Sequence, residues 1–172
     1  MSLLIPTYFT KHVSNITPEI LHKLNIKGII LDIDDTLAPH RCSTPDPKAL
    51  KWVELLKKND IKLILVSNNF KKRVSIFAKK LGLPYIYMGL KPLSYGIKKA
   101  IKHLNLPGSE IVVVGDQIFT DTIGANFLKL KSILVDPISK NKTTILKIKR
   151  FFEKNIRKKI KNSSKLNLNS II

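Results

Sequence analysis

Gly28-Ile29-Ile30-Leu31-Asp32-Ile33-Asp34-Asp35-Thr36 joins an apolar run directly to an acidic cluster. A short apolar run bounded by turn signals reads as a buried strand. The acids then sit at the strand's carboxyl end, where open α/β sheets place their ligand sites. Three carboxylates this close repel one another and are tolerable where a cation and hydrogen-bond donors offset the charge. That pattern suits metal-assisted chemistry on a phosphate; a solvated acidic turn is the alternative.

Outward from this stretch, strands and helices alternate. Thr17-Pro18-Glu19 combines a capping residue, a proline at the first helical position and an early acid, so a short helix runs to about residue 25. A loop with three prolines follows at 38–47. Asp46 caps a helix over 47–59 that turns Leu50, Val53 and Leu56 inward, with Trp52 in the core. Strands are expected at 61–66, 85–87, 111–114 and 132–135. Helices are expected at 71–81, closed by Gly82, and at 94–104 and 119–130. Residues 166–172 read as a frayed end. Nearly all-apolar strands alternating with helices are the signature of an α/β fold, a parallel sheet covered on both faces.

The chain has 172 residues and a net charge of +19, from 31 Lys and Arg against 12 Asp and Glu. This predicts an anionic partner: nucleic acid, phospholipid or a phosphorylated substrate. A Lys-, Ile- and Asn-rich composition of the kind an AT-rich genome imposes is the competing explanation. Residues 140–172 hold eleven basic residues against Glu153 alone, a concentration that codon bias explains less well. There Ile145, Ile148, Phe152 and Ile156 recur at helical spacing, with Lys147, Arg150, Lys154, Arg157, Lys158 and Lys161 around the rest of the helix. Such a helix lies in an anionic membrane surface or packs its apolar stripe on the sheet. The expected organisation is a domain over 1–139, with 140–172 as a basic amphipathic helix and tail that either belongs to it or faces a membrane. Cys42 is the only cysteine, so no intrachain disulfide forms. With no secretory leader and no apolar span of about 20 residues, the expectation is a cytoplasmic chain, peripheral to the inner face of a membrane if attached.

Chemistry-bearing residues follow each predicted strand in order: Asp32, Asp34 and Thr36; then Ser67, Asn68 and Asn69; then Lys91 and Pro92; then Gly115, Asp116 and Asp121. Any one of these is unremarkable, whereas four groups in order along one sheet edge are specific. The set Asp32-x-Asp34-x-Thr36, Ser67, Lys91 and Gly115-Asp116-x4-Asp121 resembles the haloacid dehalogenase-like (HAD) superfamily over about residues 28–136. The resemblance implies a Rossmann-like three-layer sandwich and magnesium-dependent phosphoryl transfer through an aspartate.

It further implies roles that the chemistry of these side chains supports. Asp32 is the nucleophile, and Asp34 the acid that protonates the leaving alkoxide and then activates water. Thr36, Ser67 and Asn68 bind the phosphate. Lys91 faces the oxygens that gain charge in the transition state. Asp32, Asp34 (through its carbonyl), Asp116 and Asp121 hold the metal, although Asp121 is equally suited to orienting Lys91. The acid at position 34 points to phosphatase rather than dehalogenase chemistry.

Thirty-three residues separate Asp34 from Ser67 and 24 separate Ser67 from Lys91, and predicted elements fill both intervals, so no cap domain fits. Leu4-x-Pro6, the 18–24 helix, Ser67-Asn68-Asn69 and Lys91-Pro92 make the chain look like YqeG-type, subfamily IIIA HAD phosphatases. These are similar to the mitochondrial phosphatidylglycerophosphate phosphatases of cardiolipin synthesis. The implied substrate is phosphatidylglycerophosphate, a lipid at a membrane surface. A small phosphorylated metabolite is the alternative substrate, and a basic RNA- or ribosome-associated module the alternative class. One departure stands out: Asp35 occupies a position that is usually Asn. His40 and Arg41 lie close enough in sequence to touch a substrate or to face solvent.

Overall fold

The computed structural model describes residues 2–139 and 144–171, and for 144–151 and 169 it describes the backbone alone. Six strands form one sheet: β1 (Tyr8–Thr10), β2 (Gly28–Leu31), β3 (Lys62–Val66), β4 (Tyr85–Ile86), β5 (Ile111–Gly115) and β6 (Lys131–Val135). Their order is β1-β6-β5-β2-β3-β4, and every pairing is parallel. The helices are α1 (Pro18–Lys23), α2 (Pro47–Lys58), α3 (Lys71–Leu81), α4 (Tyr95–Leu104), α5 (Ile123–Phe127) and α6 (Thr144–Lys161). The α/β reading holds, and no cap interrupts the fold: α2 and β3 fill the chain between Asp34 and Ser67, and α3 and β4 fill the chain from Ser67 to Lys91.

Strand periodicity assigns the core to two faces. Ile29 and Leu31 of β2 pack with Ile20, Trp52, Leu56 and Phe77. Ile30 points the other way, among Ile64, Ile97, Ala100 and Val113. Local chemistry sets the helix ends. Thr17 accepts the Ile20 N–H at 3.4 Å and Asp46 accepts those of Lys48 and Ala49 at 2.9 and 3.1 Å. Gly82 closes α3 at φ 59°, a left-handed conformation that costs glycine little. Trp52 is core, as expected, and its indole N–H donates to the Ile16 carbonyl at 2.7 Å.

Three sequence expectations need correction. Strand β1 went unrecognised because three residues are too few to show a period; it is held by pairing with β6. The expected continuous 119–130 helix is a π-helical turn, Ile118–Thr122, followed by the short α5. Single π turns concentrate at functional sites. The C-terminal segment is not frayed: Ser164–Leu166 and Leu168–Ile171 form 3-10 turns, and Leu168 is fully buried in the same cluster as Val13 and Ile133.

Helix α6 packs at its C-terminal half. Ile160 is buried against Ile118 and Leu134, with Ile156 half-buried beside them, whereas Phe152 is exposed. The Ile145 and Ile148 side chains of the expected stripe lie outside the described residues. Among the described residues no helix is long and apolar enough to cross a membrane.

If Leu168 is a core residue, Leu168→Ala loses its burial and leaves a cavity. The expected cost is about 2–4 kcal/mol in denaturant unfolding, where a frayed tail would cost almost nothing.

Candidate active site

The chain places β3 and β4 on one side of β2, then returns to place β5 and β6 on the other. In such a sheet the crevice at this reversal, beyond the strands' carboxyl ends, is the ligand site. Asp32 follows β2 there, with its N–H bound to the Val114 carbonyl of β5 at 3.0 Å. Ser67 follows β3, Asp116 follows β5, and the loop after β4 supplies Lys91.

Carboxylate oxygens of Asp32, Asp116 and Asp121 lie within 4.8 Å of one another, and all three residues are buried. The Lys91 ammonium sits between two of them, 2.6 Å from Asp32 Oδ1 and 2.6 Å from Asp121 Oδ1. Burial raises the Asp32 carboxyl to about 7; Lys91 opposes the shift, and Asp121 and Asp34 add to it. Burial alone would lower the Lys91 ammonium, but Asp121 and Asp32 outweigh it and hold Lys91 firmly protonated.

Both oxygens of Asp121 have partners. Its Oδ1 pairs with Lys91, while Oδ2 accepts from the Gln117 N–H at 3.2 Å and Thr120 Oγ1 at 3.3 Å. The π turn creates this geometry by bringing Asp121 back over the end of β5. A Cβ at Gly115 would collide with the Asp121 carboxylate, so only glycine lets the acid close down.

Asp34 faces another set of partners. Its Oδ1 accepts from Arg73 at 2.5 Å and from the Arg41 N–H at 2.9 Å, and its Oδ2 from Asn69 Nδ2 at 2.5 Å. His40 Nδ1 lies 3.6 Å away. Asn69 also donates to Ser67 Oγ at 3.1 Å, linking the second motif to Asp34. Thr36 Oγ1 reaches Asp32 Oδ2 at 3.4 Å. Both polar ends of the Asn68 amide are taken by the Lys91 backbone: Nδ2 donates to its carbonyl at 3.0 Å and Oδ1 accepts its N–H at 2.8 Å.

Asp35, the departure noted above, turns away from this group. It sits at φ 60°, a conformation that Asn and Asp tolerate better than most residues. Its buried carboxylate accepts the N–H groups of His40 at 3.3 Å and Ser139 at 3.0 Å, and the Ser139 hydroxyl. These bonds fasten the loop after β2 to the segment after β6.

Two contributors escaped the sequence reading. Arg73 lies in the first turn of α3, just past Ser67, and a helix beginning at that strand end was the available signal. Helix α6 supplies the other. The buried Glu153 carboxylate accepts the Ile118 and Phe119 N–H groups at 2.8 and 3.4 Å. Arg157 donates to Glu153 at 3.0 Å and to the Asp116 carbonyl. These contacts brace the loop carrying Asp116 and Asp121, and no spacing rule announces them.

The aspartate trio, its paired lysine and the separately held Asp34 all meet at one edge of the sheet. A family model for haloacid dehalogenase-like hydrolases matches residues 38–127. The chain belongs to this family and is a phosphatase. It is 37% identical over 152 residues to the Bacillus subtilis protein named probable phosphatase YqeG, covering 88% of each chain. It is 25% identical over 146 residues to the Arabidopsis thaliana phosphatidylglycerophosphate phosphatase 1, covering 79% of this chain and 42% of that protein. Among solved structures, an uncharacterized Listeria monocytogenes protein superposes with a TM-score of 0.56 at 16% identity, over 69% of this chain and 85% of that one. The cobalt-bound deoxy-D-mannose-octulosonate 8-phosphate phosphatase YrbI of Haemophilus influenzae superposes at 0.54 and 15% identity, over 66% and 70%. Both share the fold.

Gly115→Ala should displace Asp121 and release Lys91 from its bridge. The expected result is a fall in kcat of about 100-fold or more, with the thermal midpoint lowered far less than by a core deletion; steady-state kinetics beside thermal melting checks it.

Proposed function

We propose that this chain is a magnesium-dependent phosphomonoester hydrolase that works through an aspartyl-phosphate on Asp32, with phosphatidylglycerophosphate as its substrate. The observation that carries the chemistry is the buried Asp32, Asp116 and Asp121 trio bridged by Lys91. The donor set fits magnesium, because all three ligands are hard carboxylate oxygens brought together in a buried setting. Asp32, Asp116 and either the Asp121 carboxylate or the Asp34 carbonyl would hold the ion; the Asp34 carboxylate is committed to Arg73 and Asn69. When bound, magnesium offsets phosphate charge and polarises the phosphoryl group.

The side chains then divide the work. Asp32 Oδ attacks phosphorus as the bond to the leaving alkoxide breaks, and Asp34 gives that alkoxide its proton. Asp34 next takes a proton from water, which attacks phosphorus and releases Asp32 and inorganic phosphate. Ser67 and Thr36 hydroxyls donate to phosphoryl oxygens, and Lys91 stabilises their developing charge. Asn68 acts by fixing the Lys91 backbone. Arg73 and Asn69 hold the Asp34 carboxylate in position.

The lipid assignment rests on the absence of a cap and on the similarity to the plant phosphatidylglycerophosphate phosphatase. Phosphate release from phosphatidylglycerophosphate in mixed micelles, beside a panel of soluble phosphomonoesters, tests it. Magnesium-dependent turnover preferring the lipid is expected; turnover of soluble esters alone overturns the lipid assignment. Asp32→Asn should lower kcat by about a thousandfold or more with thermal stability preserved, and an active variant removes Asp32 as nucleophile.

Metal binding should also depend on pH. Because burial raises the Asp32 carboxyl to about 7, a proton competes with the ion below that value. Magnesium affinity by calorimetry should therefore fall by up to about tenfold per pH unit below neutrality and level off above it.

A further inference from the structure

The border of the active site carries apolar side chains that the fold does not bury. Phe70 and Leu93 are 76% and 67% exposed, the highest values among the large apolar side chains of the described residues. Together with Met88 and Leu90 they line a concavity of about 380 Å³ that also touches Asn68, Lys91 and Pro92. Met88 and Leu90 continue into a neighbouring concavity of about 450 Å³ shared with Tyr87, Tyr95 and Lys99. The two form one surface. It abuts the site, because Lys91 contributes to this surface while its ammonium reaches Asp32.

The surface is held outward by a constrained turn. Met88 and Leu90 both occupy left-handed backbone, at φ 45° and 53°, which bulky side chains rarely adopt. The turn between them is pinned from below. The Met88 and Gly89 N–H groups bind the Asn69 and Ser67 carbonyls at 3.0 and 2.9 Å, and Gly96 donates to the Gly89 carbonyl at 2.9 Å. A Cβ at Gly96 would come within 2.7 Å of the Gly89 backbone. Strained backbone that displays apolar side chains to water has no return inside the domain, which points to a partner outside it.

The surrounding charge identifies the partner's chemistry. Residues 61–109 contain ten lysines and arginines and no acidic residue, and of these Lys71, Lys91 and Lys99 stand at the rim. Lys99 Nζ lies 4.4 Å from the Tyr95 ring centroid and Lys71 Nζ 6.0 Å from that of Tyr87. Protruding aliphatic and aromatic groups edged by lysine ammoniums match the layering of an anionic bilayer interface, apolar tips inward and cations at the headgroups. The alternative surface, α6, is committed at its C-terminal half, where Glu153 and Ile160 are buried against the domain.

We infer that the Phe70, Met88, Leu90 and Leu93 rim, with Tyr87 and Tyr95 and their lysines, docks the phosphatase on an anionic membrane surface. Resting on the lipid-substrate reading, this docking sets the open site against headgroups in the plane of the bilayer. The lipid needs no extraction, and the membrane closes the side that a cap would cover.

Sedimentation of the full chain with phosphatidylcholine vesicles, with or without phosphatidylglycerol, tests the docking. The wild-type chain should bind the anionic vesicles and leave neutral ones unbound. A Phe70→Ser, Leu93→Ser double variant should lower vesicle partitioning by about tenfold or more. Leu55→Ser, a change at an exposed apolar residue on α2, should not alter it. Turnover of soluble p-nitrophenyl phosphate should be equal in all three chains. A wild-type chain that ignores anionic vesicles overturns the inference and leaves the rim to a protein partner. A double variant that binds like wild type overturns it in favour of α6. Failure of the lipid-substrate reading gives a different result: vesicle binding intact, with no turnover of micellar phosphatidylglycerophosphate.

Discussion

Negative charge at the carboxyl edge of the sheet is the constraint on which the rest of the molecule depends. Asp32, Asp116 and Asp121 bring oxygens within 4.8 Å of one another in a buried setting. At that separation each like-charge pair costs about 3–4 kcal/mol at an effective dielectric constant of about 20. Lys91, pinned between Asp32 and Asp121, offsets part of this, and a divalent cation suits the remainder. The same crowding, together with burial, lifts Asp32 toward neutrality and holds Lys91 charged.

Much of the fold beyond the strands keeps these groups from moving apart. Gly115 leaves room for Asp121, and Asn68 clamps the Lys91 backbone. Glu153 and Arg157 reach from the C-terminal helix to the loop bearing Asp116 and Asp121. A buried acid with a partnered arginine is costly to break, so this brace makes α6 part of the site's support. Asp35 does the same for the loop bearing Asp32 and Asp34 by tying it to residues 138 and 139. The two key acids are thereby separated: Asp32 faces Lys91, and Asp34 faces Arg73 and Asn69. Separate surroundings suit the two carboxylates to different tasks.

An open site changes what must surround it. With no cap over it, the site is bordered by a constrained apolar and basic rim. Basic character is spread along residues 61–109 as well as the C-terminal segment, and within the former Lys91 lies in the site and Lys99 on its rim. Excess positive charge in this chain is thus best understood by its position on the fold rather than by its total.

Residues 28–36 and the later strand ends were legible because their signals are local. An apolar run of strand length fixes where a strand stops, and in a parallel sheet that stop places Asp32, Ser67 and Asp116 on one edge. Strand β1 was illegible because three residues carry no period, and Leu168 because a tail's burial depends on what it meets. Arg73 on Asp34, Glu153 beneath the Ile118 turn and the Asp121 bridge to Lys91 join residues 30 to 40 positions apart. The sequence by itself determined the sheet and the order of its chemical groups, since both follow from short-range hydrophobic period and turn chemistry. Only the tertiary structure decided which charges pair, which helix braces the loop bearing Asp116 and Asp121 and which apolar side chains stay in water, because those outcomes depend on packing between distant segments.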